Sequence, residues 1–231
     1  MRDVHVFVAR SGNAFMRDIA ACIREAAEQT GRRATLESGG TRPTDPDAIN
    51  LVVAPHEFYL LGEWSDREVH ASASMSIPVC TEQPGTTWFD ITRLYASASP
   101  LVLDINEQGA RALTDIGVEA RHLRLGGVPS MDHRRHGQRR VDLVFLGGKT
   151  DRRAAELARL GPELWHRQVE LRLFTFHRPV STDAGGLVFG DAKYDLLADS
   201  RVLLNLHRDD VRPGYFEWAR VVEAMANGCC V

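Results

Sequence analysis

The sequence predicts an α/β protein made of two Rossmann-like units, each a parallel sheet covered by helices. Three observations predict it. Short β-branched apolar runs alternate with amphipathic helical stretches from the N-terminus to Leu125. The alternation stops across Gly126–Arg140, which holds Gly126-Gly127, Pro129 and the basic run His133-Arg134-Arg135-His136-Gly137-Gln138-Arg139-Arg140. It restarts at Val141. The expected division is a first unit over 1–128, a solvated linker over 129–140 and a second unit over 141–231.

In the first unit, Val4–Ala9 is the opening strand. A helix follows from Phe15 to Gln29, with Phe15, Ile19, Cys22, Ile23 and Ala26 on one face and Gly31 as its stop. Ala34–Glu37 is a second strand, and Gly39–Asp47 is a loop rich in Gly, Pro and Asp. Three further apolar runs read as strands: Ile49–Ala54, stopped by Pro55; Ile77–Cys80, stopped by the Thr81–Gly85 turn; and Leu101–Ile105. Asn106 caps a helix running to about Ile116, Gly117 ends it, and Glu119–Leu125 is the last strand.

In the second unit, Val141–Leu146 is a strand ending in Gly147-Gly148-Lys149-Thr150, followed by a helix from Asp151 to Leu160. Val169–Phe174 is a strand, Tyr194–Ala198 a short helix and Arg201–Leu206 a strand. Glu217–Ala226 is a helix closed by Asn227-Gly228. Cys229-Cys230-Val231 then begins an apolar run, so a further strand is expected and the second sheet reads as cut off, the chain being a fragment or a truncated product.

Composition narrows the function classes. The 231 residues are 44% hydrophobic and 26% charged, globular values that exclude disordered, collagenous and coiled-coil proteins. The formal net charge of −3 speaks against a dedicated nucleic-acid binder. The start, Met1–Val8, is no signal peptide, and no apolar run approaches the roughly 20 residues of a membrane helix. Cys22, Cys80, Cys229 and Cys230 form no zinc-type cluster. They read as free thiols of a cytoplasmic protein with no integral membrane segment.

Ligands of open parallel sheets bind beyond the carboxyl ends of the strands. In the first unit those loops carry Ser11-Gly12-Asn13, Pro55-His56-Glu57-Phe58, Thr81-Glu82-Gln83-Pro84-Gly85 and Asn106. In the second they carry Gly147-Gly148-Lys149-Thr150, His177-Arg178 and His207-Arg208-Asp209-Asp210. Gly147, Gly148 and Lys149 are either a phosphate cradle before a helix N-terminus or a plain strand-to-helix turn. They are not the P-loop pattern. On the last helix, Trp218, Val221, Val222 and Met225 form a core-facing stripe. Arg220 and Glu223 are expected on the opposite, exposed side, flanked by Glu217. A carboxylate there suits the paired hydroxyls of a ribose; an exposed Arg–Glu pair is the alternative. Asp45-Pro46-Asp47 reads as turn chemistry.

Gly214-Tyr215-Phe216-Glu217-Trp218-Ala219-Arg220-Val221-Val222-Glu223-Ala224-Met225-Ala226-Asn227-Gly228 resembles the C-terminal helix motif of GT-B glycosyltransferases. Together with Phe145–Arg153 and Leu203–His207 it is most similar to the spore-maturation (spore-coat) glycosyltransferase group. The resemblance covers Val141–Val231 and rests on architecture alone before that. It implies a sugar transferase with a nucleotide-sugar donor, no cofactor and no required metal. It gives Glu223 to the ribose and Lys149 and Arg220 to the diphosphate, with Gly147, Gly148, His207 and Glu217 around them. Eight positions before Glu223, where the family often has a first glutamate, stands Tyr215. The first unit would bind an acceptor of unidentified class, with His56 and Glu82 as candidate general bases. Two other readings stay open: a nucleotide-sugar epimerase of the same fold, and a non-catalytic nucleotide-sugar-binding or degenerate remnant protein.

Overall fold

A computed structural model describes residues 1–135, 137–175, 180, 186–208 and 217–231. They separate into two compact units, Met1–Leu125 and Gly126–Val231.

The first unit runs β1 (Val4–Phe7), α1 (Ala14–Gln29), β2 (Ala34–Glu37), β3 (Ile49–Val53), α2 (Pro55–Leu60), α3 (Asp66–Ser74), β4 (Ile77–Cys80), α4 (Thr87–Ala96), β5 (Val102–Asp104), α5 (Glu107–Thr114) and β6 (Ala120–His122). The six strands form one sheet in the order β2-β1-β3-β4-β5-β6, and every pairing is parallel. Sheets of this kind are covered on both faces, so their strands are apolar almost throughout. Val6, Val52, Val53, Val79 and Val102 are accordingly buried. One core cluster joins Phe7, Val52, Phe58, Tyr59 and Ala73, and another joins Cys80, Phe89, Ala96, Val102 and Leu113. The chain leaves β1 toward β2 on one side and returns to β3 on the other. The strand order therefore reverses between β1 and β3.

Two details of the first unit differ from the sequence reading. Helix α1 buries Ala14, Met16 and Ala20 beside Ile19, Cys22 and Ile23, while Phe15 is half-buried and Ala26 is exposed. Its inward face is turned toward the small residues, which let a helix approach a sheet closely. Pro55 stops β3 and also starts α2, where its missing N–H costs nothing. The short α2 and the polar α3 carry too little apolar periodicity to be read from sequence; α4, capped by Thr86 and burying Phe89 and Ala96, is a further element that the sequence reading lacked.

The second unit runs β7 (Val141–Gly148), α6 (Asp151–Leu164), β8 (Val169–Phe174), α7 (Gly190–Ala198), β9 (Ser200–Leu203) and α8 (Trp218–Ala226). Its parallel sheet has the order β8-β7-β9, and Cys230 makes a parallel bridge to Val202 beside β9. Val141, Val144, Leu197, Leu203, Ala224 and Cys229 form its core. The order again reverses at the first strand of the unit, between β7 and β9.

The described residues of 126–140 group with this second unit; most of them are exposed, and several are tied to it by hydrogen bonds and ion pairs. Asn227 is buried at the C-terminus of α8; its Nδ2 donates to the Met131 carbonyl and its Oδ1 accepts from the His133 N–H. Arg139 donates to the carbonyls of Ser200 and Asn227, Arg140 pairs with Asp199, and Arg135 pairs with Asp195. Arg135 and Arg140 thus meet acids on α7 and just past its end, some 60 residues away in sequence, while Arg134 pairs locally with Asp132.

Helix α8 also differs. Its buried residues are Val221, Glu223 and Ala224. Trp218 and Met225, expected in the core stripe, are 38% and 66% exposed. The helix carries two overlapping stripes, and the one with the small Ala224 faces the sheet. Glu223 lies on the inner side because a cation meets it there.

Candidate functional site

The reversal points of both sheets are lined with polar side chains. In doubly wound sheets such points open crevices at the carboxyl ends of the strands, where ligands bind.

In the first unit the arrangement starts from a strained residue. Ala54, between β3 and α2, has φ 51°, the one left-handed non-glycine conformation among the described residues. That conformation costs an alanine about 1–2 kcal/mol. It turns the chain at once from strand to helix and sets His56 and Glu57 behind the sheet end. Glu57 is buried and reaches the start of α1: its Oε2 accepts from the Asn13 backbone N–H at 2.8 Å, and its Oε1 from the Asn13 side-chain amide. A Cβ on Gly12 would stand 2.5 Å from Glu57 Oε2, so only glycine leaves room for this carboxylate. A helix N-terminus after a first strand is a common anion site. Here a carboxylate of the chain itself fills it.

His56 is only 3% exposed. Its Nε2 lies 3.3 Å from Glu82 Oε1 and 4.0 Å from Glu57 Oε1, and its Nδ1 lies 3.2 Å from Thr92 Oγ1. Burial pulls its pKa down to about 4, so the ring is neutral at pH 7. Burial pushes the Glu57 carboxyl up, against the hydrogen bonds from Asn13. The Trp88 indole, 45% exposed, packs 5.8 Å from the His56 ring. The two residues singled out here from sequence, His56 and Glu82, are thus in contact across 26 positions of chain. One strand further on, Asp104 is fully buried and pressed against Gly109, and its Oδ1 accepts from the Asn106 N–H. Burial first, and the Glu82 charge in addition, push its pKa up to about 8 against that hydrogen bond.

In the second unit the centre is Arg153 in the first turn of α6, buried to 3% exposure. Its Nη1 donates to the Gly148 carbonyl at 3.0 Å, its Nε to the Leu206 carbonyl at 2.9 Å, and its Nη2 to Glu217 Oε1 at 3.3 Å. It therefore ties the ends of β7 and of the chain after β9 to the start of α8. Glu217 Oε2 also pairs with Arg220 at 2.6 Å, and Arg220 donates to Asn205 Oδ1. Among the described residues, two guanidinium groups share this one carboxylate at a helix N-terminus.

This corrects the cradle reading of Gly147 and Gly148. Both are the last residues of β7, paired with Leu173 and Phe174, rather than a loop. A Cβ on Gly147 would stand 3.1 Å from Arg153 Nη1 and 3.2 Å from the Phe145 ring. The glycine makes room for a guanidinium of the chain itself. Lys149 is exposed; Thr150 caps α6 by accepting from the Arg153 N–H. His207 is half-buried, and its Nδ1 is enclosed with no hydrogen-bond partner among the described residues.

Glu223 is separate from this group. It pairs with Lys193 of α7 at 2.6 Å, both side chains being at most 9% exposed, and not with Arg220. The exposed position expected for it is overturned. His177, Arg178, Asp209, Asp210 and Gly214–Phe216 lie outside the described residues.

Sequence reasoning did not select Asn13, Glu57 or Arg153, although each stands in a segment it had marked. Thr92, Asp104 and Lys193 gave no sequence signal. Among the described residues, no helix is long and apolar enough to cross a membrane, and no group of three or more His, Cys, Asp or Glu is arranged to hold a metal ion. No family model and no curated protein matches the chain.

Proposed function

We propose that the chain is a glycosyltransferase of GT-B type, with a nucleotide-sugar donor held by the second unit and a hydroxyl-bearing acceptor by the first. The observation that carries the reading is the polar group at the β7–β9 reversal: Arg153, Arg220 and Glu217 at the start of α8, with Lys149 and His207 on adjoining strand ends. Its two guanidinium groups and exposed lysine suit a diphosphate. The second support is the chemistry of the first unit. Its helix-terminal anion site is filled by Glu57, which leaves that unit a buried histidine, a part-exposed carboxylate and an exposed indole. Those groups suit the hydroxyls and apolar face of an acceptor better than a phosphate.

In this reading Arg220 and Lys149 meet the diphosphate, and Arg153 is a positioning residue because its donors are taken up by the chain. Glu217 orients Arg220. The resemblance gives Glu223 to the ribose, but Lys193 holds that carboxylate, so the proposal does not depend on it. The test is calorimetric titration of UDP, GDP and their sugars, followed by a donor-turnover assay. Micromolar to millimolar binding that weakens tenfold or more in Arg220→Ala supports the reading. No binding of any nucleotide refutes it. Binding without turnover favours a non-catalytic protein, and turnover without an acceptor favours an epimerase.

A further inference from the structure

We infer that β8 is a docking edge for a second copy of this chain. Two β8 strands pair antiparallel across a two-fold axis and join the two three-stranded sheets into one. β8 is the outer strand of the order β8-β7-β9, and β7 is its one strand partner among the described residues. The Gln168 and Phe174 carbonyls accept from the N–H groups of Leu143 and Lys149 on the β7 side. Backbone groups alternate along a strand, so Glu170 and Arg172 also turn theirs to β7. Val169, Leu171 and Leu173 then present their N–H and C=O groups outward, and no hydrogen bond takes these up among the described residues. Leu171 and Leu173 are also 43% and 39% exposed, so the edge is apolar as well as unpaired. An open edge of this kind is a template for another strand.

The residues of the edge select the partner. Outward groups must meet outward groups, so an antiparallel copy sets Leu171 opposite its own counterpart, or is displaced from that by two residues. In the first register Val169 meets Leu173 of the second copy, and Glu170 stands directly opposite Arg172 of the second copy, twice because of the axis. The leucines are then a hydrogen-bonded pair exchanging both bonds. Glu170 and Arg172 form the other kind of pair, in which side chains come closest. Opposite charges stabilise such a pair and like charges destabilise it. A displacement by two residues puts Glu170 against Glu170 or Arg172 against Arg172, so one antiparallel register is favoured over its neighbours. Within one strand Glu170 and Arg172 lie 3.2 Å apart on one face of the sheet, which leaves the leucines on the other. The pairing therefore alternates four charges on one face and closes an apolar stripe on the other. It is isologous and stops at two copies. It involves the second unit alone and stands apart from the transferase reading.

Sedimentation velocity of the full chain, from about 1 µM to about 500 µM, is expected to show monomer passing to dimer with no larger species. Glu170→Arg and Arg172→Glu each replace two attractive cross-strand pairs by two repulsive ones. Each is expected to weaken the dimer by about tenfold or more. The variant carrying both changes restores opposite charges with the signs exchanged and is expected to recover most of the loss. Both side chains are part-exposed, and a thermal melt of each variant separates lost pairing from lost folding. Amide hydrogen exchange of the wild type reads the register. The Val169, Leu171 and Leu173 N–H groups are expected to be protected in the dimer and open in the dilute monomer, with those of Glu170 and Arg172 protected in both. A chain that stays monomeric throughout would overturn the inference. Open amides would then leave the edge to a foreign strand, and protected ones would assign it to another part of the same chain. A dimer whose three amides stay open, or one that neither single reversal weakens, would overturn it as well.

Discussion

Replacing Glu223 by Ala is expected to destabilise the second unit severely. Lys193 Nζ and Glu223 Oε1 are 2.6 Å apart, and both residues are 7% exposed. Truncation to Ala would take this carboxylate away from the buried ammonium, which also lies 5.1 Å from the centroid of the Tyr194 ring. Removing one partner of a buried pair costs about 3–5 kcal/mol, because the remaining charge stays desolvated. In a unit of this size 1 kcal/mol moves the melting midpoint by at least about 4 °C, so a loss on the order of 12–20 °C is expected. The double variant Lys193→Met, Glu223→Leu removes both charges together. It should recover most of the loss, since well-packed apolar replacements of buried pairs are often neutral or stabilising. Arg220→Ala, which breaks a more exposed pair, is the control and should cost about 1 kcal/mol or less. Thermal melts, with hydrogen exchange read separately on α7 and α8 peptides, measure all three. A Glu223→Ala protein that melts with wild type would refute the argument. So would a double variant as unstable as the single one.

Three further outcomes follow from the geometry. Asp104 has a folded-state pKa of about 8 against 3.8, so between these values the folded chain holds a proton that the unfolded chain has lost, and stability falls as pH rises through the window. His56, at about 4 against 6.5, acts oppositely and only below pH 6.5. Between pH 6.5 and 8 the Asp104 slope is therefore not offset by His56, and Asp104→Asn should flatten urea-derived stability there by roughly 2 kcal/mol; an unchanged slope would count against it. Gly109→Ala, which in an ordinary helix interior gains up to about 1 kcal/mol, should instead cost roughly 1–3 kcal/mol, since its Cβ would stand 2.2 Å from Asp104 Oδ2; a rise in melting temperature would contradict this. Arg153→Lys should lower the stability of the second unit by about 2 kcal/mol or more. An ammonium cannot span the carbonyls of Gly148 and Leu206 and the Glu217 carboxylate together; a melt like that of wild type would show that the three ties are not needed.

The sequence by itself determined the α/β class, the order of the strands along the chain and the strand-end loops where polar groups collect. Apolar runs such as Ile49–Val53 and Ile77–Cys80 are local signals, because burial on both faces demands apolar side chains along most of the run. Glycine stops and the Asn106 cap are equally local. His56 and Glu82 were legible for the same reason, each standing just past a strand. What only the tertiary structure decided is which charges meet. Glu223 looked exposed because the periodicity of α8 supports two inward faces, and its choice between them depends on Lys193, 30 residues earlier. The basic run 133–140 looked like a linker because the acids that meet Arg135 and Arg140 lie on α7 and at Asp199. Gly147 and Gly148 looked like a phosphate cradle because a glycine shows only that something must approach the backbone. That the approaching group is Arg153 follows from α6 folding back over the end of β7. Electrostatic partners at long sequence separation leave no periodic trace in the chain, so packing has to bring them together before they can be read.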